Sequence, residues 1–145
     1  MFKKTIVPLF GIGIILLAAC GKTDEIDKND CQNNIICDAS YASVVVKFVN
    51  KNGDGVAVKN YSAVNQRTKE VLSVASGGNI NSEAGIYVVA SDSNTRKLSE
   101  TGDDIKVSGT LTDGSQTKSA IIKVKGGNCA CHVSKVSGPE QIKFD

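Results

Sequence analysis

The side chains best suited to metal binding or catalysis lie close together near the end of the sequence, in the segment Cys129, Ala130, Cys131 and His132. Thiolates and an imidazole are ligands for zinc, and two thiolates suffice for copper(I). Zinc would need a fourth ligand, which Cys31 or Cys37 could supply. On a strand, however, Cys129 and Cys131 face one side and His132 the other. This parity argues against one metal held by all three, so the metal site is the alternative interpretation, and no cofactor is predicted.

Disulfide bonds are the favoured interpretation of the cysteines. Apart from Cys20, the sequence has four: Cys31, Cys37, Cys129 and Cys131. An even number in an exported protein is typical of disulfide bridges. A bridge between Cys129 and Cys131 is the least attractive, because two residues on one strand face lie near the upper limit of bridging distance. In the two remaining pairing schemes, Cys31 and Cys37 each form a bridge to Cys129 or Cys131. Both schemes connect the start of the domain to its last strands, and Cys37 with Cys131 is the preferred single bridge.

His132 is the only histidine of the chain. A Ser–His–Asp site would have to be centred on it, and no Gly-x-Ser-x-Gly turn is present. A single histidine on a strand is more often a hydrogen-bonded structural residue or a solvent-facing one. The sequence therefore predicts a protein that is not an enzyme, with no catalytic residues, and with Asp92, Asp103 and Asp104 as loop acids.

The segment Asn50–Gly55 partly imitates a calcium-binding loop. Its first position is Asn50 rather than Asp, and its twelfth, Tyr61, replaces the required Glu. A tight hairpin turn explains the Asn-Gly and Asp-Gly pairs fully.

The N-terminal segment carries a secretory pattern. Lys3 and Lys4 precede an apolar run from Ile6 to Leu17, followed by Ala18, Ala19 and Cys20. This run is too short for a convincing membrane span. Leu-Ala-Ala-Cys resembles the bacterial lipobox, which implies acylation of Cys20 and anchoring to a membrane by lipid. A signal followed by an unmodified cysteine, or an uncleaved anchor, is the alternative.

Three regions are expected: a signal peptide over 1–19, the lipidated cysteine and a polar tether over 20–34, and a domain over 35–145. The tether is similar to the corresponding region of Bacteroidota lipoproteins, in which acidic residues can mark export to the cell surface. Lys22 and Lys28 dilute this pattern. The expected location is the outer membrane, with the periplasmic face and the cell surface both open.

The charge of the chain bears on its partners. The formal net charge is +2, and the excess comes from Lys3 and Lys4, so the part from Cys20 onward is neutral. Because nucleic-acid binding needs a basic face, no nucleic-acid partner is expected. The expected partners are the membrane, through the lipid, and an envelope protein or glycan.

Short β-strands dominate from Ile35 onward. A period of two puts Val44, Val46 and Phe48 on one face of a strand, and Ile105, Val107, Gly109 and Leu111 alternate with polar residues. Turn sequences separate the strands, among them Thr112–Ser115 and the Ser76–Gly85 loop. We prefer strand–turn–strand to a helix around 61–72, and we expect strands over Cys129–Val136 and Gln141–Phe144. Seven to eight strands predict an all-β, antiparallel, immunoglobulin-like sandwich.

The segment VNKNGDGVAV, followed by NQRTKEVL, resembles small transthyretin-like sandwich modules of exported Bacteroidota proteins. GIYVVASDSN and CACHVSKVSGPEQI are similar to segments of small uncharacterised lipoproteins of that phylum. The resemblance implies the sandwich fold and an exported location, and no activity.

Overall fold

The computed structural model describes residues 36–73 and 83–145. The predicted signal peptide, Cys20, the tether with Cys31, and most of the predicted Ser76–Gly85 loop lie outside the described residues. The described part contains eight strands and one 3₁₀ helix, Asp92–Lys97. The strands are β1 (Ser43–Val49), β2 (Val58–Asn65), β3 (Val71–Ser73), β4 (Ile86–Ser91), β5 (Asp103–Leu111), β6 (Thr117–Lys125), β7 (Ser134–Ser137) and β8 (Gln141–Lys143).

The strands form two sheets. One has the order β4–β1–β8 and the other the order β3–β2–β5–β6–β7. Neighbouring strands are antiparallel except for β1 and β8, which run parallel. The predicted all-β sandwich is therefore confirmed, with one parallel pair that the sequence did not indicate.

The inner faces of the sheets follow the alternation in the sequence. Val44, Val46 and Phe48 of β1 are buried, as are Ile105 and Val107 of β5. β-branched and aromatic residues at a period of two fit a pleated surface with one buried side. The strand assignments for β1 and β5 are confirmed for this reason.

Phe48 lies at the centre of the core. Its ring meets those of Tyr61 and Tyr87 edge-on, with centroids 6.2 and 5.6 Å away, and stacks on Phe144 at 5.9 Å. Gly109 makes room for this ring: a Cβ there would lie 2.7 Å from Val58 Cγ2 and 2.9 Å from Phe48 Cζ. The glycine in the alternating pattern of β5 is thus required by packing.

Both core tyrosines have hydrogen-bond partners for their hydroxyls. Tyr61 Oη donates to the Val88 carbonyl at 2.6 Å, and Tyr87 Oη donates to the Val58 carbonyl at 3.1 Å. Burial raises the pKa of Tyr61. The tyrosines therefore connect the two sheets while leaving no buried hydroxyl without a partner.

The predicted hairpin between β1 and β2 is wrong. The turn itself forms: Asn50 Oδ1 accepts the amides of Asn52 and Asp54 at 2.9 and 3.0 Å, and Gly53 has φ +94°. Only an isolated bridge joins Val49 to Gly55, after which the chain crosses to the other sheet. Both edges of β1 are already occupied, by β4 and β8, so β2 pairs elsewhere.

The predicted strand over Cys129–Val136 is also wrong in its first half. Only Ser134–Ser137 is a strand, and residues 129–133 form a loop. The Ala130 amide donates to the Gly127 carbonyl, and the Val133 amide donates to the Asp92 side chain. Because these amides have other partners, a strand ladder does not extend through them, and the parity argument for the cysteines does not apply.

The assignment of Asp103 to a loop is wrong, because this residue begins β5 and is buried. Its carboxylate accepts both Arg67 Nε and Arg67 Nη2 at 2.7 Å, Asn65 Nδ2 at 2.8 Å and the Ser99 amide at 3.1 Å. Asn65 in turn holds the β2–β3 turn, accepting the Arg67 amide at 2.8 Å. Hydrogen bonds to Arg67 chiefly hold the pKa of Asp103 below its usual value.

The β2–β3 connection confirms the preference for strand–turn–strand over a helix. Ala63 pairs with Ser73 and Val64 with Val71 in an antiparallel hairpin.

Asp104, also predicted as a loop acid, lies within β5 and forms an ion pair with Lys123 at 3.2 Å.

Candidate functional site

Three segments meet at the end of the sandwich: residues 36–42 before β1, the 3₁₀ helix Asp92–Lys97, and the loop 126–133. A disulfide between Cys37 and Cys131 joins the first to the third, with the Cα atoms 5.4 Å apart and a sequence separation of 94. The preferred bridge of the sequence analysis is therefore confirmed. It fastens the start of the domain to the loop before its last strands.

Cys129 is also disulfide-bonded. The other two described cysteines, Cys37 and Cys131, are bonded to each other. The sulfurs of Cys129 and Cys131 are thus not thiolates in this structure. Among residues 36–73 and 83–145, no group of three or more His, Cys, Asp or Glu side chains is arranged to hold a metal ion.

His132 lies between two carboxylates. Its Nδ1 is 2.7 Å from Asp92 Oδ2, and its Nε2 is 3.2 Å from Asp38 Oδ1. Ser40 Oγ is 3.3 Å from the same Nε2. We call Asp38, Ser40, Asp92 and His132 the clasp. It joins the segment before β1 to the other two segments beside the disulfide.

Asp92 is the fixed member of the clasp. Its carboxylate accepts the Ala42 amide at 2.7 Å and the Val133 amide at 2.9 Å, in addition to its contact with His132. The amide of Ala42, more than any other contact, holds the pKa of Asp92 below its usual value. One ionised side chain thereby fixes backbone on both sides of the site.

Asp38 is held locally by Ser40. Both the amide and the hydroxyl of Ser40 donate to Asp38 Oδ1, the amide at 2.8 Å. The hydroxyl of Ser40 is the chief cause that lowers the pKa of Asp38. Asp38 therefore presents an ionised oxygen to His132 from a preformed turn.

These contacts favour the charged form of His132. Hydrogen bonds, first to Asp92 and then to Asp38, raise the pKa of His132 against the opposing effect of its partial burial. The side chain is 27% exposed, so solvent protons reach it. The histidine is thus hydrogen-bonded on both ring nitrogens and partly exposed.

The clasp contains the residue types of a Ser–His–Asp triad, which sequence spacing did not reveal. Ser40 and Asp92 lie 92 and 40 residues from His132, too far apart in sequence for a local motif. In the geometry seen here His132 Nε2 lies 3.2 Å from Asp38 Oδ1, and the Ser40 hydroxyl donates to the same carboxylate oxygen. In a triad of that type the serine hydroxyl donates to the imidazole instead.

An open cleft of about 560 Å³ adjoins the clasp. Arg96 lies exposed in its wall, whereas Lys97 also lines the cleft but forms an ion pair with Glu70 at 2.5 Å. The remaining lining residues are Cys37, Asp92, Ser93, Thr95, Gly127, Asn128, Ala130 and Cys131. The cleft is polar, and the disulfide forms part of its wall.

The structure thus brings together four of the residues singled out from the sequence, Cys37, Cys129, Cys131 and His132. Cys20 and Cys31 lie outside the described residues. The partial calcium loop at Asn50 is a turn in which Asn50 Nδ2 donates to Asp54 Oδ2 at 3.1 Å. The sequence did carry one signal for Asp38: an Asp two residues before Ser40 is the pattern of an Asx turn.

The chain matches no protein-family model, no curated protein and no solved structure. In the ranges 36–73 and 83–145, no helix has the length and apolar character needed to cross a membrane.

Proposed function

We propose that the protein is a lipid-anchored lipoprotein of the bacterial cell envelope, attached at the outer membrane through Cys20, whose β-sandwich is a non-catalytic binding or structural module. The observation that carries the proposal is the Cys37–Cys131 bridge. Disulfides persist in oxidising compartments outside the cytoplasm. The bridge also gives the segment that follows the anchor a second covalent attachment to the domain, at Cys131, besides the backbone that leads into β1.

The anchor is tested by metabolic labelling of the full chain with an alkyne fatty acid in a bacterial host. We expect the label on the protein and its recovery in the membrane fraction. The Cys20→Ser variant should lose both, because the acylated sulfur is absent. Equal labelling of the variant, or labelling of neither form, would refute lipid attachment at Cys20.

The cleft is the proposed contact for an envelope protein or glycan. It is open and polar, and it carries the exposed Arg96, features that favour a polar partner. A photoreactive residue in place of Arg96 should give an adduct in living cells, and its mass and enzyme sensitivity distinguish protein from glycan. The same replacement at Lys51, an exposed residue of the β1–β2 turn, is the matched control. Identical adducts from both positions would exclude the cleft as the contact.

The alternative function, handling of a metal or thiol by Cys129, Cys131 and His132, requires reduction of the bridges first. Oxidised protein should show no free thiol on alkylation without reductant. About one bound metal per chain in protein purified under reducing conditions, lost on His132→Ala, would favour the alternative over the binding module.

A further inference from the structure

The two contacts of His132 determine how many protons its ring must carry. Ionised carboxylates only accept hydrogen bonds, and each ring nitrogen of His132 faces one: Nδ1 at 2.7 Å from Asp92, and Nε2 at 3.2 Å from Asp38. A neutral imidazole has a single N–H and can satisfy only one of them. Both contacts therefore exist together only when the ring is protonated on both nitrogens.

The same residues offer a second arrangement for the neutral ring. The shorter contact, reinforced by the two amides that fix Asp92, retains the proton on Nδ1. Nε2 then carries a lone pair that repels the Asp38 carboxylate. Ser40 Oγ, 3.3 Å from Nε2, can turn its hydroxyl from Asp38 to this nitrogen. Asp38 thereby loses two of its three donors.

We propose that the clasp is a proton-operated latch on the segment before β1: protonated His132 holds Asp38 and closes it, and neutral His132 releases Asp38 and opens it. The neighbouring Cys37–Cys131 bridge lines the open cleft. Opening of the latch loosens the residues beside Cys37 and gives a reductant readier access to the bridge. The latch does not depend on the lipid anchor or on a ligand in the cleft.

The surrounding charges set the direction of the switch. Besides Asp38 and Asp92, the groups that share a pocket with His132 are Glu100 and Lys125. Arg96 and Lys97 stand across the adjoining cleft. The two carboxylates in contact outweigh the more distant cations, and the pKa of His132 is raised above its usual 6.5. The latch is therefore closed at pH 6.5 and below, and opens as the pH rises through the pKa of the folded state.

The experiment uses ring ¹⁵N NMR of the full chain in detergent, because His132 is the only histidine and gives unambiguous signals. We expect a titration midpoint above 6.5 and, at high pH, the tautomer with its proton on Nδ1. Asp38→Asn should lower the midpoint by removing one negative charge. Asp113→Asn is the matched control, since Asp113 makes the same two hydrogen bonds to Ser115 without a histidine nearby.

Reduction of the bridge gives the second readout. The rate with a phosphine, divided by its rate on a small disulfide at the same pH, should rise roughly threefold across the midpoint, the size expected from one weak ion pair. His132→Gln should abolish this step, since it cannot titrate. Any of four results would overturn the latch. Two concern the titration of His132: a midpoint at or below 6.5, or a midpoint that does not shift in Asp38→Asn. The others are a neutral tautomer with its proton on Nε2, or a corrected reduction rate that does not change with pH.

Discussion

Removal of the Cys37–Cys131 bridge alone should cost less free energy of unfolding than the long loop it closes would suggest. In the chain-entropy model, a single cross-link over a separation of 94 residues stabilises by about 4.7 kcal/mol. Cys129 is also bridged, however, only two residues from Cys131. We expect its partner to be Cys31, the one cysteine of the predicted set that is otherwise unassigned.

In that case the two bridges close nearly the same long loop. After the loss of one, the other still restrains the unfolded chain, and only the small ring between the bridges is opened. For a ring of about eight residues the same model gives about 2.5 kcal/mol. The double serine variant of Cys37 and Cys131 should therefore lose about 2.5 kcal/mol, and a variant lacking all four cysteines about 7 kcal/mol.

The assay is urea unfolding followed by circular dichroism without reductant, on the full chain in detergent. The third member of the set is the double serine variant of Cys31 and Cys129. The m-value should rise most in the variant lacking all four, because its unfolded state is no longer compacted. Two results would refute bridges that close nearly the same loop. One is a loss of unfolding free energy in the variant lacking all four cysteines that equals the sum of the losses in the two double variants. The other is a loss near 4.7 kcal/mol from removal of Cys37 and Cys131 alone. Peptide mapping of the unreduced protein identifies the partner of Cys129 independently.

Three further substitutions test the fold by the same unfolding assay. Phe48→Ala should lose about 4 kcal/mol by opening a cavity among three aromatic rings, and an unchanged midpoint would contradict the central position of this ring. Gly109→Ala should lose about 2 kcal/mol because its Cβ would overlap Val58 and Phe48, whereas tolerance without loss would show that the core can yield. Asp103→Ala should lose about 3 kcal/mol by leaving the buried Asn65 amide without its acceptor. In the parent, this contribution should fade as the pH falls below 3.8 toward the lowered pKa of Asp103, and a pH-independent difference would refute it.

The strands were predictable because their signals are local. Val44, Val46 and Phe48 carry the period of a half-buried strand within a few residues, and Thr112–Ser115 carries the residues of a hairpin turn between β5 and β6. Such signals depend on backbone preferences and on the burial of one face, both of which act between near neighbours.

The pairing of the strands was less predictable. The turn at Asn50–Gly55 has hairpin residues and forms as a turn, yet β1 and β2 belong to different sheets. A turn sequence fixes the local backbone but leaves open whether the strand edges beside it are free. β8, which is distant from β1 in sequence, pairs with one edge of β1, and no local sequence pattern indicates this parallel pair.

The sequence by itself indicated the class of fold, four candidate disulfide cysteines with Cys37 and Cys131 as the preferred pair, and the single histidine. These follow from composition, periodicity and the number of cysteines. Only the tertiary structure decided that Asp38, Ser40 and Asp92 surround His132, and that Asp103 is a buried anchor. Hydrogen bonds between side chains far apart in sequence depend on how the sheets bring three separate segments to one end of the sandwich. The spacing of residues in the sequence does not indicate which segments come together.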